Sequence, residues 1–321
     1  MYDSVIVDCG DTAALSPFLD AECKPLVFLT HGHLDHMSGV PTLQRTYKHC
    51  TVRTPPQQPS TTAAQLRWTS SQTLAEASRS LSCACMTVSL TAAAVPAHTS
   101  DSVILRMVVR HTDARQDNLK VEEEPLGCLV SSSPDGPPAA VSQSLHAGCA
   151  ALFTGDTLFA CGAGRFFTST VDSETGLPAA ATHLACLVSH LTSPSLDPPP
   201  ARTLVLGGHE YGAANRAFAR TLEPTNEQLR DNPDAVDRDV GSWYSVRGAT
   251  LARELDTNPF LRLAASPSLR ASLNVHADAT LPVALAALRT AKDSHSPLTL
   301  SFVLSYLWLG LKMKAISWGF L

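Results

Sequence analysis

The sequence has no CxxC pair among its nine cysteines, no internal repeat, and only 17% charged residues. It also has no apolar run of the roughly 20 residues that cross a bilayer. The odd, scattered cysteines argue against a disulfide framework and for free thiols in a reducing compartment. Met1 to Asp11 lacks the basic-then-apolar order of a secretory leader, so the expected location is the cytoplasm. Basic residues are not in excess: 24 against 29 acidic ones give a net charge of −5, which disfavours a nucleic-acid partner. What is present is 44% hydrophobic residues over 321 positions, enough for one large or two unequal packed domains. The twelve histidines are the unusual feature.

Ser4 to Asp8, Pro25 to Thr30, Met86 to Leu90, Val103 to Arg110, Cys149 to Thr154 and Thr203 to Leu206 read as strands. Gly176 to Leu191 and Gly212 to Leu222 read as helices, with a further helix starting near Ser38. After Glu223 the pattern becomes helical, with pieces at Asn226 to Asp234, Thr250 to Asp256 and Leu281 to Asp293. Arg53 to Thr62, His111 to Leu145 and Ser193 to Pro200 read as loops, the middle one too long for an ordinary connection. Leu298 to Leu311 is nearly all apolar but short of a span. It reads as a helix packed on the second domain, with membrane association of this tail the less favoured alternative.

The densest chemical signal is Thr30-His31-Gly32-His33-Leu34-Asp35-His36, directly after an apolar strand. Imidazole and carboxylate together suit zinc, and also iron or manganese. His31 and His33, two apart on extended backbone, point to one side, while Asp35 and His36 can face a second ion. One run cannot close such a site, so ligands must arrive from other strand tips. His98, Asp156 and His209 each follow a strand and a turn. Each alone has an ordinary reading: a core histidine, a turn cap, a loop histidine. An aspartate with two oxygens is also the natural bridge between two cations.

These residues resemble the metallo-β-lactamase superfamily through T-H-x-H-x-D-H, and within it the glyoxalase II, or hydroxyacylglutathione hydrolase, family. The narrower likeness is carried by His98-Thr99-Ser100, Thr154 to Phe159, Gly162 to Phe167, Gly208 to Tyr211, Glu223 to Asn226, Asn258 to Arg262 and Leu288 to Asp293. The resemblance implies an α+β fold: a metallo-β-lactamase αββα sandwich over 1–210, interrupted by an insertion at about 111–145. A helical substrate-binding domain follows over 211–296, then the apolar tail 297–321.

The same resemblance implies two divalent metal ions, zinc before iron or manganese. His31, His33 and His98 would hold one, Asp35, His36 and His209 the other, with Asp156 as bridge. It further puts Arg165, Phe167, Tyr211 and Arg262 around a glutathione or trypanothione thioester. The implied reaction is hydrolysis of S-D-lactoylglutathione to D-lactate and free thiol by a metal-bridged hydroxide, oriented by Asp35 and Asp156, in a monomeric enzyme. Rivals are another hydrolase or a persulfide dioxygenase of the same fold, or a catalytically impaired thiol-binding relative. Two departures stand out: Asp101 follows His98-Thr99-Ser100 where the family has glycine, and Leu263 to Leu269 carries no basic residue.

Overall fold

A computed structural model describes residues 4–55, 68–69, 86–111, 148–173, 175–230 and 249–295. Most of the 111–145 insertion and the whole 297–321 tail lie outside these residues, as does the chain after Arg230 that was expected to continue a helix to Asp234.

Strands β1 (Ser4–Val7), β2 (Pro25–Phe28) and β3 (Thr51–Arg53) form a parallel three-stranded sheet in that order. A six-stranded mixed sheet comprises β4 (Trp68–Thr69), β5 (Met86–Ala94), β6 (Val103–His111), β7 (Cys149–Gly155), β10 (Thr203–Gly207) and β11 (Ala249–Thr250). Its order is β11-β10-β7-β6-β5-β4, and only β7 and β10 are parallel. Between them in sequence lie the small hairpin β8 (Leu158–Phe159) and β9 (Gly162–Ala163).

The two-residue period of the strands sorts side chains into layers. Leu26 and Phe28 face Val88, Leu90, Val103, Leu105 and Ala151 between the sheets. Val27 and Leu29 point the other way, onto Val40, Leu43 and Tyr47. That outer face is covered by α1 (Leu34–Met37) and α2 (Val40–Thr46). On the far side Ile104, Leu152 and Val205 pack against Leu184, Leu187 and Val188 of α3 (Ala179–Leu191). Helix, sheet, sheet, helix is thus the observed layering. The same outer core takes in Phe218, Leu251, Phe260, Leu285 and Leu288. These come from α4 (Gly212–Leu222), α5 (Leu251–Thr257), α6 (Pro259–Arg262) and α8 (Leu281–His295); α7 (Pro267–Ser272) adds Leu269.

Several elements differ from expectation. Strand β5 runs on to Ala94 because it pairs with β6 along its whole length. Helix α3 begins at Ala179 rather than Gly176, since Gly176 has φ +68° and Pro178, at ψ 123°, is outside the helical region. Of the piece expected at Asn226 to Asp234, the described part is a single 3-10 turn, Glu227–Leu229, capped by Asn226. The hairpin β8-β9 was not foreseen; two-residue strands give no periodic signal. Among the described residues the six cysteines form no disulfide. Among the described residues no helix is long and apolar enough to cross a membrane.

Candidate metal centre

Parallel strands end together. The carboxyl ends of β1 and β2 in one sheet, and of β7 and β10 in the other, present Asp8, the His31 to His36 run, Asp156 and His209 at one edge. His98 joins them from the turn between β5 and β6, which Val95 and Ser102 close by a backbone hydrogen bond of 2.9 Å. The buried strands fix where each of these turns begins.

The side chains fall into two groups whose ligand atoms lie within 4.8 Å of one another: His31, His33, His98 and Asp156, and Asp35, His36 and His209. Asp156 reaches both. Its Oδ1 is 3.1 Å from His36 Nε2, while its Oδ2 is 3.5 Å from both His98 Nε2 and His209 Nε2. His98 Nε2 stands 3.1 Å from His33 Nδ1, and His36 Nε2 stands 3.2 Å from His209 Nε2. Nitrogens bound at ~2.0–2.1 Å around a tetrahedral ion are about 3.3 Å apart, so these spacings suit a shared cation. His31 Nε2 and Asp35 Oδ1 are buried with no hydrogen-bond partner. Orphaned, inward-facing donor atoms of this kind fit metal ligands, and would be costly without one.

Close approach is built in at Gly208. A Cβ there would lie 2.5 Å from His36 Cε1 and 2.6 Å from Asp156 Oδ1, so any side chain would drive the Asp156 carboxylate away.

The other ring nitrogens have defined partners. Asp8, at φ +59° just past β1, holds His36 Nδ1 at 2.7 Å from its Oδ2. The same carboxylate accepts from Thr30 N–H at 2.7 Å and from Thr30 Oγ1 at 2.8 Å; Thr30 Oγ1 is 3.0 Å from His31 Nδ1. His98 Nδ1 donates to the Arg165 carbonyl at 2.8 Å. Each contact fixes the tautomer that turns a lone pair inward. Asp8 was missed in the sequence, although a carboxylate ending a short apolar strand was a usable signal.

Charge follows the same geometry. Burial pulls His31 well below its ordinary value, to about 2, and His98 to about 4, so both rings are neutral and able to ligate. His36 is opposed by burial but carried up to about 11 by its hydrogen bonds to Asp156 and Asp8. Asp156 is likewise opposed by burial yet held well below the usual carboxylate range by His36, His209 and His98. A cation binding beside Asp156 would take the place of the proton that His36 Nε2 holds there.

The rim carries two exposed aromatic rings. Phe167 lies 5.1 Å from His98 and 5.5 Å from His33, and Tyr211 stacks on His209 at 5.3 Å. Arg165 pairs with Asp293 at 2.5 Å, and Arg289 pairs with the same oxygen at 2.9 Å. Lys292 sits beside them, 4.9 Å from the Phe218 ring; burial, with Arg289 and Arg165, lowers its pKa to about 8. Neither Arg289 nor Lys292 was assigned to the site from the sequence, although Leu288 to Asp293 was noted as a motif. Arg262 has a different partner: its Nε and Nη2 grip the buried Glu223 carboxylate at 2.9 and 3.0 Å. Asp101 is accommodated by its own turn, accepting from Thr99 Oγ1 at 2.6 Å.

Residues 3–209 match the metallo-β-lactamase superfamily, and residues 210–295 match the hydroxyacylglutathione hydrolase C-terminus. The chain is 37% identical over 144 residues to a hydroxyacylglutathione hydrolase of Roseobacter denitrificans, covering 45% of this chain and 50% of that protein. It is 29% identical over 277 residues to one from Stenotrophomonas maltophilia, covering 85% of this chain and 82% of that protein. The first match thus spans about half the relative's length. A crystal structure of the BLEG-1 B3 metallo-β-lactamase superposes with a TM-score of 0.40 at 20% identity, over 81% of this chain and 91% of that one. The chain belongs to the metallo-β-lactamase superfamily. Its pairing of that fold with the hydroxyacylglutathione hydrolase C-terminus makes it a member of the glyoxalase II family.

Proposed function

We propose that the chain hydrolyses thioesters of glutathione or a closely related thiol, releasing a hydroxy acid such as D-lactate. The observation that carries this reading is the meeting of two ligand groups at one bridging carboxylate, Asp156, beside a cationic and aromatic rim. His31, His33 and His98 would hold one divalent ion, and Asp35, His36 and His209 the other, zinc being the first choice for this nitrogen and oxygen set. When bound, such ions supply positive charge that brings the pKa of water toward roughly 7 and favours negative charge on a carbonyl oxygen.

The chain's own groups do the rest. Asp156 spans both subsites, and Asp35, whose Oδ1 is buried without a hydrogen-bond partner while its Oδ2 meets His209, would help orient the attacking water. Asp8, Thr30 and the Arg165 carbonyl hold the rings of His36, His31 and His98 in orientation through Nδ1, which leaves Nε2 to face the ions. Phe167 and Tyr211 flank the opening and can sandwich the thiol portion of the substrate. Arg165, Arg289 and Lys292 outnumber Asp293, which leaves net positive charge for a peptide carboxylate. No cysteine nucleophile is needed: burial pushes the Cys9 and Cys161 thiols up to about 11.

The deciding experiment is S-D-lactoylglutathione hydrolysis by purified protein with metal content measured alongside. Turnover with about two metals per chain, abolished in Asp156→Ala, is the expected result. Intact metal with no activity on glutathione or trypanothione thioesters would overturn the reading.

A further inference from the structure

The turn joining Asp156 to Arg165 has little structure of its own, since β8 and β9 share only two residue pairs. Helical side chains hold it instead. Asn258 Nδ2 donates to the carbonyls of Phe159 at 3.2 Å and Gly162 at 3.0 Å. Asn215 Nδ2 donates to the Ala160 carbonyl at 3.1 Å, and Arg289 Nη1 to those of Ala163 and Gly164 at 2.8 and 3.2 Å. The Cys161 N–H donates to Glu254 Oε2 at 2.9 Å, and Asn258 Nδ2 reaches the same oxygen at 3.0 Å. All four side chains are buried, and they come from α4, α5, the residue capping α6, and α8. A buried carbonyl must find a donor, and for Phe159, Ala160, Gly162, Ala163 and Gly164 a side-chain donor comes from the helical part of the chain.

Both ends of this turn touch metal-ligand side chains or their backbone. One end is Asp156 itself. At the other, the Arg165 carbonyl fixes His98 Nδ1 at 2.8 Å. Gly164 lies so close that a Cβ there would be 1.8 Å from the Asp156 carbonyl and 2.9 Å from His98 Nδ1. The Phe167 N–H also donates to the His98 carbonyl at 2.9 Å.

We propose that Asn258 is a positioning residue for the metal centre: through the Phe159 and Gly162 carbonyls it sets the turn that aims Asp156 and His98. The helical domain is then part of the scaffold of the metal site as well as its substrate side. This inference rests on the two-metal reading.

Asn258→Asp tests it, because the new side chain keeps the oxygen that accepts from Phe260 N–H at 3.0 Å and loses both protons. The double variant Glu254→Gln/Asn258→Asp restores a donor and acceptor between those two residues but leaves the Phe159 and Gly162 carbonyls unserved. Zinc stoichiometry and affinity by chelator competition are measured on the full chain, with the absorption spectrum of the cobalt-substituted protein. Both variants are expected to lose about tenfold or more in affinity for zinc and to show a shifted cobalt spectrum. A folded Asn258→Asp with wild-type affinity and spectrum overturns the proposal, as does full recovery in the double variant. Should Asn258→Asp fail to fold, Asn258→Ser, which keeps a capping oxygen and adds no charge, carries the same expectations. Wild-type protein that binds fewer than two ions defeats the two-metal reading together with the inference, whereas normal wild-type binding with unaltered variants defeats the inference alone.

Discussion

Asp8 Oδ2 lies 2.7 Å from His36 Nδ1 and 2.8 Å from the Thr30 hydroxyl, which in turn stands 3.0 Å from His31 Nδ1. One carboxylate therefore orients a histidine in each of the two ligand groups. Asp8→Ala is expected to lower zinc affinity by about 10- to 100-fold, with the ion beside His36 lost first. Chelator competition measures this, and two tightly bound ions in the variant would refute the role given to Asp8.

Glu254 makes a separate prediction about pH. Complete burial pushes its carboxyl up to about 7, against the hydrogen bonds from Asn258 and the Cys161 N–H that favour the charged form. Below its ordinary value of 4.5 the group is neutral in both folded and unfolded chains. Between 4.5 and about 7 only the folded chain keeps the proton, so its contribution to stability falls as pH rises, and the loss is complete above about 7. The full span corresponds to about 3 kcal/mol. In denaturant unfolding across this window, the stability of wild type should fall with rising pH relative to that of Glu254→Gln, the other titrating groups being common to both. Parallel curves would remove the assignment.

Arg262 was expected at the substrate, yet its guanidinium fork closes on Glu223, which is 6% exposed. Arg262→Ala should therefore destabilise the fold by about 2 kcal/mol, because the carboxylate is left buried without its partner. Glu223→Gln in the same chain should recover part of the loss. The KM for thioester is expected to stay near wild type; a large rise in KM with unchanged melting temperature would return Arg262 to the substrate site.

Phe167 is 48% exposed against the His33 and His98 rings, an arrangement with no packing purpose of its own. Phe167→Ala should raise KM by about tenfold through lost apolar contact while kcat changes little. Steady-state kinetics separates the two, and a fall confined to kcat would contradict a binding role.

The candidate ligand run His31 to His36 was legible in the sequence because its residues are neighbours, and a chemistry that needs several donors leaves a dense local mark. The strand tips at His98, Asp156 and His209 were legible because a buried apolar run ending in glycine or a turn announces an edge. Apolar patterning marked the individual strands and helices, as Leu26 and Val27 must point to opposite faces, whereas the αββα layering was implied by the family resemblance. What only the tertiary structure decided are pairings between residues far apart in the chain. Asp8 with His36, Arg262 with Glu223, and Asn258 with the Gly162 carbonyl each join lone polar groups that carry no local pattern. Their partners are selected by burial: once the layers exclude water, each remaining donor and acceptor must be met by whatever the packed elements bring within about 3 Å.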